Sequence, residues 1–366
     1  MPTGDFVHGL DLGRAFFSEA GQAIADAVVG RDAYAAGLMG RGSDVLGFDT
    51  EISTDHGWGP RFQVFLSDVA FAGAAPRLDA AFRERLPHHF HGHPTSFPDP
   101  DPAEGGGELQ EPAKDGPVHH LIEITTVGRF SERYLGVDAR ADIGLTDWLV
   151  FPEQRLLELT AGAVFHDPAG ELRLFRERLA AYPRDVWLYR MACQWQRLAQ
   201  EETFAGRSAE VDDVLGMRIA TARTVRDVMR LCFLMEKRYA PYGKWLGSAF
   251  GTLACAPRLQ PALTAALGAG GFGEIEHQLA VAYKTVAEIH NELGVTGPLE
   301  TEPRQFLGRP YLVIRAARFT NALLAAIQSE ELRAITVRMG GIDQFIDCTD
   351  YIENPKTYQR TKGVYW

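Results

Sequence analysis

Apolar positions recur near a helical period from the start of the chain. In HGLDLGRAFFSEAGQAIADAVV (8–29), Leu12, Phe16, Ile24 and Val28 fall on one face and predict a helix. YAAGLMGRGSD (34–44) reads as a short apolar strand running into a glycine-rich turn. RFQVFLSD (61–68), rich in β-formers and bounded by Gly59-Pro60 and Ser67-Asp68, predicts a second strand, with a helix after it over 75–86. HLIEITTV (120–127) resumes a strand and RFSERYLG (129–136) a helix. Strand–helix–strand order of this kind indicates an α/β sheet. From residue 146 the pattern turns helical. TDWLVFPEQRLLEL opens at a Thr146 cap and is broken by Pro152, and AVFHDPAGEL carries the Asp-Pro and Gly of a turn. Helices are expected over 171–182, 184–204, 208–239, 273–293 and 310–330. The pattern therefore predicts an α+β chain: a mixed sheet within residues 30–130 of a first domain, 1–145, then an all-helical bundle over 146–366.

PDPDPAEGGGELQEPAKDGP (98–117) interrupts the first domain with Pro, Gly and acids and no apolar period, which predicts a surface insertion without regular structure. The other composition figures narrow the class. A length of 366 residues suits two domains, and 46% hydrophobic with 23% charged residues is a globular balance. A net charge of -11 argues against a nucleic-acid-binding surface, while leaving room for a local cationic pocket. No basic segment followed by an apolar one opens the chain, and no apolar run is long enough to span a bilayer. A cytoplasmic location without membrane attachment is expected. Cys193, Cys232, Cys255 and Cys348 form no C-x-x-C pair and are expected to be buried thiols.

Candidate chemistry concentrates in GRGSDVLGFDTEISTDHGWGPRFQVFL (40–66). A Gly42-Ser43 turn after a strand places backbone N–H groups and a hydroxyl where phosphate oxygens can sit. Asp55 follows Ser43 by twelve positions and precedes the next strand, and Glu123 lies between Ile122 and Ile124 in a later one. A carboxylate on an apolar strand calls for a metal or a donor beside it. Each has a plainer reading: Gly-Ser is a common turn pair, Asp55 suits a turn or cap, and Glu123 suits a solvent-facing edge. His56 reads as a packing or hydrogen-bonding residue. On a helix starting near 221, Arg226, Arg230 and Lys237 lie within about 60 degrees of Arg223, opposite an apolar face of Val225, Val228, Met229, Cys232, Phe233 and Met235. This cationic stripe leads to Tyr242 and Lys244; it suits a triphosphate, or simply a solvated helix face. His88, His89, His91 and His93, with His119 and His120 later, match no closed metal-site spacing and read as polar loops.

The Gly42-Ser43 turn, its spacing to Asp55 and the later strand carboxylate Glu123 resemble the nucleotidyltransferase superfamily, which includes small-molecule antibiotic nucleotidyltransferases and polymerase-β-like enzymes. A closer resemblance, through STDHxWGPR (53–61), LCFLMEKRYAPYGKWL (231–246) and DQFIDCTDYIENP (343–355), is to an uncharacterised bacterial family with a domain of unknown function. The resemblance implies a nucleotidyltransferase-like mixed sheet followed by a helical domain. It implies Mg²⁺-dependent transfer of a nucleoside monophosphate from a nucleoside triphosphate to a small-molecule acceptor. Gly42 and Ser43 would hold the β- and γ-phosphates, Asp55 and Glu123 would bind Mg²⁺, and Glu123 would draw the proton from the attacking hydroxyl. One position departs: the second acid of the superfamily pair falls at Gly57, which leaves the usual two-metal site one carboxylate short. The alternative is a nucleotide-binding or regulatory protein that keeps the scaffold without turnover, or a different chemistry on it.

Overall fold

The computed structural model describes residues 6–54, 57–97 and 115–366. Two compact units result: Met1–Asp142 with Arg155–Ala180, and Ile143–Gln154 with Ala181–Trp366.

The first unit is built on a mixed four-stranded sheet. Its strands are β1 (Tyr34–Leu38), β2 (Gln63–Leu66), β5 (Glu123–Thr125) and β6 (Ala163–His166); β3 (His89–Phe90) and β4 (His93–Pro94) form a separate small ribbon. The sheet order is β5-β2-β1-β6, with β1 antiparallel to both neighbours and β2 parallel to β5. All five residues of β1 are buried, which fits the apolar run YAAGL at the middle of the sheet. A side chain at Gly37 would bring a Cβ within 2.7 Å of the Ala163 carbonyl, so glycine permits β6 to approach where the pairing shifts register. β6 corrects two expectations. Its segment reads as a turn, and the sheet was expected to end by residue 130. Four half-buried residues at a sheet edge offer too few alternations to signal a strand, and the adjoining Asp167-Pro168 supplies the turn signal instead.

The expected first helix is α1 (Gly9–Phe16), continued through a π-turn at Phe17–Gly21 into α2 (Gln22–Val29). Leu12, Phe16 and Phe17 pack with Phe62, Val64, Leu78 and Phe82 in the core of this unit. After the four-residue α3 (Ser43–Leu46) comes α4 (Asp68–Arg85), which starts earlier than expected because Ser67 caps it, its side chain accepting from the Ala70 N–H. The small residues of VAFAGAAP give these first turns little apolar contrast. α5 (Val127–Leu135) is capped by the Thr126 hydroxyl and ends at Gly136, whose φ of 73° is left-handed.

The second unit is helical. α6 (Leu145–Val150) begins after Gly144 rather than at a Thr146 cap, and Pro152 separates it from α7 (Glu153–Thr160), as the sequence suggests; from Arg155 on, α7 belongs to the first unit. Following α8 (Glu171–Leu179) of the first unit, α9 (Arg184–Glu201) is buried almost all round. Its Trp195 ring stacks on the Phe319 ring at 4.1 Å. The expected helix 208–239 is shorter and divided: α10 (Phe204–Ala209) stops, and α11 (Val214–Met235) starts under an Asp213 cap. α12 (Leu246–Phe250), the unforeseen α13 (Ala256–Gly268), α14 (Phe272–Glu292), α15 (Ala317–Ala325) and α16 (Glu330–Ala334) complete the labelled helices. Part of the expected 310–330 helix is instead a ribbon strand at Leu312–Val313 paired with Arg304–Gln305. No helix among the described residues is long and apolar enough to cross a membrane. Cys193, Cys232 and Cys255 are buried as expected, whereas Cys348 is exposed.

Candidate functional site

The glycine-rich turn leaves the end of β1 at one edge of the sheet. Gly42 has φ 135°, and a Cβ there would stand 2.1 Å from Asp44 Oδ1 and 2.6 Å from Arg61 Nη2. Glycine is required both for the backbone angle and for room beside that ion pair. Asp44 is buried, and Arg61 Nη2 donates to both of its oxygens at 2.8 Å and to the Arg41 carbonyl at 3.2 Å. Ser43 is half-buried at the start of α3. The Tyr134 hydroxyl of α5 accepts from the Arg41 N–H at 3.2 Å and closes the turn from the other side. Burial, with the Glu158 and Glu123 charges, pushes the Tyr134 phenol up to about 12, so it stays protonated.

β2 lies between this turn and Glu123. Gln63 sits opposite Gly37 on one side and opposite Glu123 on the other, because β2 is antiparallel to β1 and parallel to β5. The Gln63 amide continues the ladder with its side chain, accepting from the Met39 N–H at 2.9 Å and donating to the Met39 carbonyl at 2.8 Å. The topology therefore brings Glu123 and the end of β1 that leads into Gly42 and Ser43 to the same end of the sheet. Glu123 forms an ion pair with Arg133 at 2.7 Å. Burial raises its carboxyl above the ordinary range, while the Arg133 and Arg61 charges pull it down. Between the turn and Glu123 lie Arg61, two residues before β2 and bound to Asp44, and Gln63, the first residue of β2 and bound to Met39. Sequence reasoning missed Arg61, Gln63 and Tyr134; Arg61 closes the STDHxWGPR segment, and that position is its one visible signal.

The remaining acids near the turn are used differently. Asp55 and His56 lie outside the described residues, as do residues 98–114 of the insertion. Gly57 has φ 60°. Asp49 is buried and accepts from the Gly9 N–H at 2.7 Å, His8 Nδ1 at 2.9 Å and Trp58 Nε1 at 3.0 Å, tying the loop to the start of α1. Glu51 is exposed in a short 3₁₀ turn. Among the histidines, His91 pairs with Glu19, and His93 packs edge-on against Trp58. His120 is held 3.6 Å from Asp79. No group of three or more His, Cys, Asp or Glu among the described residues is arranged to hold a metal ion.

The cationic residues belong to the second unit, and most are engaged there. Arg223 Nε donates to Glu201 at 2.9 Å, Arg226 lies 3.4 Å from Asp347, and Arg230 donates to the Asp343 carbonyl at 3.0 Å. The apolar face expected opposite them is buried, apart from a half-buried Met229. Lys237 does not continue the stripe: α11 ends at Met235, Lys237 takes φ 53°, and its ammonium sits over the Trp187 ring at 4.5 Å. Lys244 stands over Trp245 at 4.9 Å, and the Tyr242 N–H donates to Gln154 at 3.0 Å.

Beside the stripe lies a buried charge cluster that the sequence reading missed, although an arginine inside the apolar run WLYRMACQW is its signal. Arg190 is fully buried; its Nη2 donates to Glu153 at 2.6 Å and to Asp343 at 3.2 Å, and its guanidinium lies 4.5 Å from the Tyr182 ring centre. Glu153 also accepts from the Ala240 N–H at 3.1 Å. Segments 231–246 and 343–355 thus meet at this cluster through Ala240 and Asp343.

No curated protein matches the chain. A crystal structure of a nucleotidyltransferase-like protein from Exiguobacterium sibiricum 255-15 is similar at 10% identity, over 87% of this chain and 89% of that one, with a TM-score of 0.30. Residues 148–246, which include the 231–246 segment, match a family described as a domain of unknown function (DUF4037), in keeping with the uncharacterised family expected from the sequence.

Proposed function

We propose that the first unit binds a nucleoside triphosphate at the Gly42-Ser43 turn and, with Mg²⁺, transfers a nucleoside monophosphate to a small-molecule acceptor. The observation that carries this reading is the placement of Glu123 at the same end of the sheet as the strand that leads into the turn, with only β2 and its Gln63 between them. Backbone N–H groups at a glycine turn suit phosphate oxygens. A Mg²⁺ ion is ordinarily held by one or two carboxylates together with substrate phosphates. Glu123 Oε1 is buried and, among the described residues, has no hydrogen-bond partner beside its Arg133 ion pair, so Glu123 fits as one such ligand, with Asp55 the other. When bound, the ion would neutralise charge on the phosphates. Glu123, its carboxyl raised by burial, is suited to take a proton from an acceptor hydroxyl.

A second reading is favoured by a specific feature. Arg61 stands just before β2 and Gln63 at its start, and Gly57 replaces the second acid, which suits nucleotide binding without turnover. Calorimetric titration with the four common ribonucleoside triphosphates in Mg²⁺, coupled to pyrophosphate detection over an acceptor panel, separates the two. Transfer predicts binding with pyrophosphate release that Glu123→Gln abolishes while binding persists. Binding without release in any acceptor mixture supports the regulatory reading. Absence of binding by every triphosphate refutes both.

A further inference from the structure

A pocket of about 440 Å³ opens in the second unit between α9 and the chain that follows α16. Its polar lining is unusual in sign: Arg197 and Arg338 contribute guanidinium groups, and no Asp or Glu is among the lining residues. Arg197 is fixed in place. Its Nε donates to Asp227 at 3.0 Å and its Nη1 to the Gln344 carbonyl, while Nη2 makes no hydrogen bond among the described residues and lies 3.7 Å from Glu201. The carboxylates behind it are shared. Glu201 is also held by Arg223, and Arg226 lies 3.7 Å from Asp227 and 3.4 Å from Asp347, so these three carboxylates balance the three guanidinium groups behind the pocket. The excess positive charge at the pocket is that of Arg338, which has no carboxylate partner among the described residues and lies 3.5 Å from the Asn321 side-chain oxygen. Gln196, Gln200 and Thr336 offer further donors. Val337, Met339 and Phe345 form an apolar shelf beside them. Gln344 forms a rigid wall, since its amide is committed to Gly341, Gln194 and the Arg190 carbonyl.

We infer that this pocket binds a small organic oxyanion, a phosphate ester or carboxylate joined to a compact apolar group. Arg197 Nη2 and Arg338 would hold the oxyanion, and the Val337–Phe345 shelf would cover the apolar part. Guanidinium groups match the geometry of carboxylate and phosphate oxygens, and the pocket has the volume of a small-ligand site. The proposal concerns a site in the second unit and is independent of nucleotide binding at Gly42-Ser43.

Isothermal titration calorimetry of the full chain with phenyl phosphate and, separately, benzoate tests it and distinguishes the two oxyanions. Two variants at exposed positions report on the site: Arg338→Ala removes one cation, and Gln200→Glu introduces a carboxylate. At least one probe is expected to bind; Arg338→Ala should weaken it about tenfold and Gln200→Glu more strongly, as loss of a charge-assisted contact requires. Circular dichroism melting of both variants should match the natural chain. If neither probe binds at millimolar concentration, the proposal fails. It fails equally if a probe binds with the same affinity to both variants, which would place that binding elsewhere, such as the Gly42-Ser43 turn.

Discussion

Glu202 shows how much a single residue's surroundings decide. Its carboxylate accepts from the Ile314 N–H at 2.9 Å, Arg315 at 3.0 Å and Ala316 at 3.4 Å, fastening the chain just before α15. Burial pushes its carboxyl up to about 7 even though those three N–H groups pull it down. With the folded value above the unfolded one, the folded chain holds the proton more tightly. Stability is therefore full below about pH 4.5 and falls as pH rises through about 7. Between about pH 5 and about pH 8 the natural chain should lose on the order of 2 kcal/mol from this group, and Glu202→Gln should lose less. Urea denaturation at both pH values measures it; identical losses would contradict the assignment. The sequence gives no hint of this behaviour, because Glu202 reads as one more acid at the end of a helix. Arg190 and Asp44 were legible only as charges in apolar or turn surroundings, without their partners.

At the scale of elements, α1 depends on a residue far along the chain. The Gly9 N–H at its first turn would have no intrahelical partner, and Asp49, 40 residues away, accepts from it. Burial alone would raise the Asp49 carboxyl, but the Gly9 N–H, His8 and the Trp58 indole together lower it below 3.8. A depressed value contributes stability that is present above the unfolded pKa and lost as the pH falls through the folded one. Asp49→Asn keeps the shape and loses the charge, and should cost about 1–2 kcal/mol at neutral pH. Thermal unfolding of the two proteins near neutrality checks this, and an unchanged midpoint would remove Asp49 as the cap. Periodic helices and the central strands were legible because their apolar faces are wide. β6, the division between α10 and α11, and α13 were not. A short edge strand, a one-residue cap and a helix of small residues each carry little periodic signal.

Across the whole molecule, residues distant in sequence converge on Arg190, which joins Glu153 from α7 to Asp343 from the C-terminal region within one unit. The Tyr365 hydroxyl donates to the Gly340 carbonyl at 2.9 Å and lies 3.3 Å from the Leu149 carbonyl, so Tyr365 is part of that unit's core. Removing the cation leaves two buried carboxylates facing each other. Arg190→Met is expected to cost about 3–5 kcal/mol, as breaking one side of a buried ion pair does. Denaturant unfolding reads this directly, and a loss below about 1 kcal/mol, the scale of an exposed pair, would mean that water reaches the cluster.

The sequence by itself determined the α+β class, the longer helices and strands as far as β5 though not α3 or the β3–β4 ribbon, the apolar face of α11 and the glycine turn after β1. These follow from local periodicity and turn chemistry, which act over a few residues. Only the tertiary structure decided that β6 joins the sheet and that β2 brings Gln63 between β1 and Glu123, with Arg61 just before it. It also decided that the arginines of α11 meet carboxylates and a carbonyl of their own unit. Strand neighbours and charge partners are chosen by burial and by the low dielectric of the interior, where a charge keeps its partner close regardless of distance along the chain.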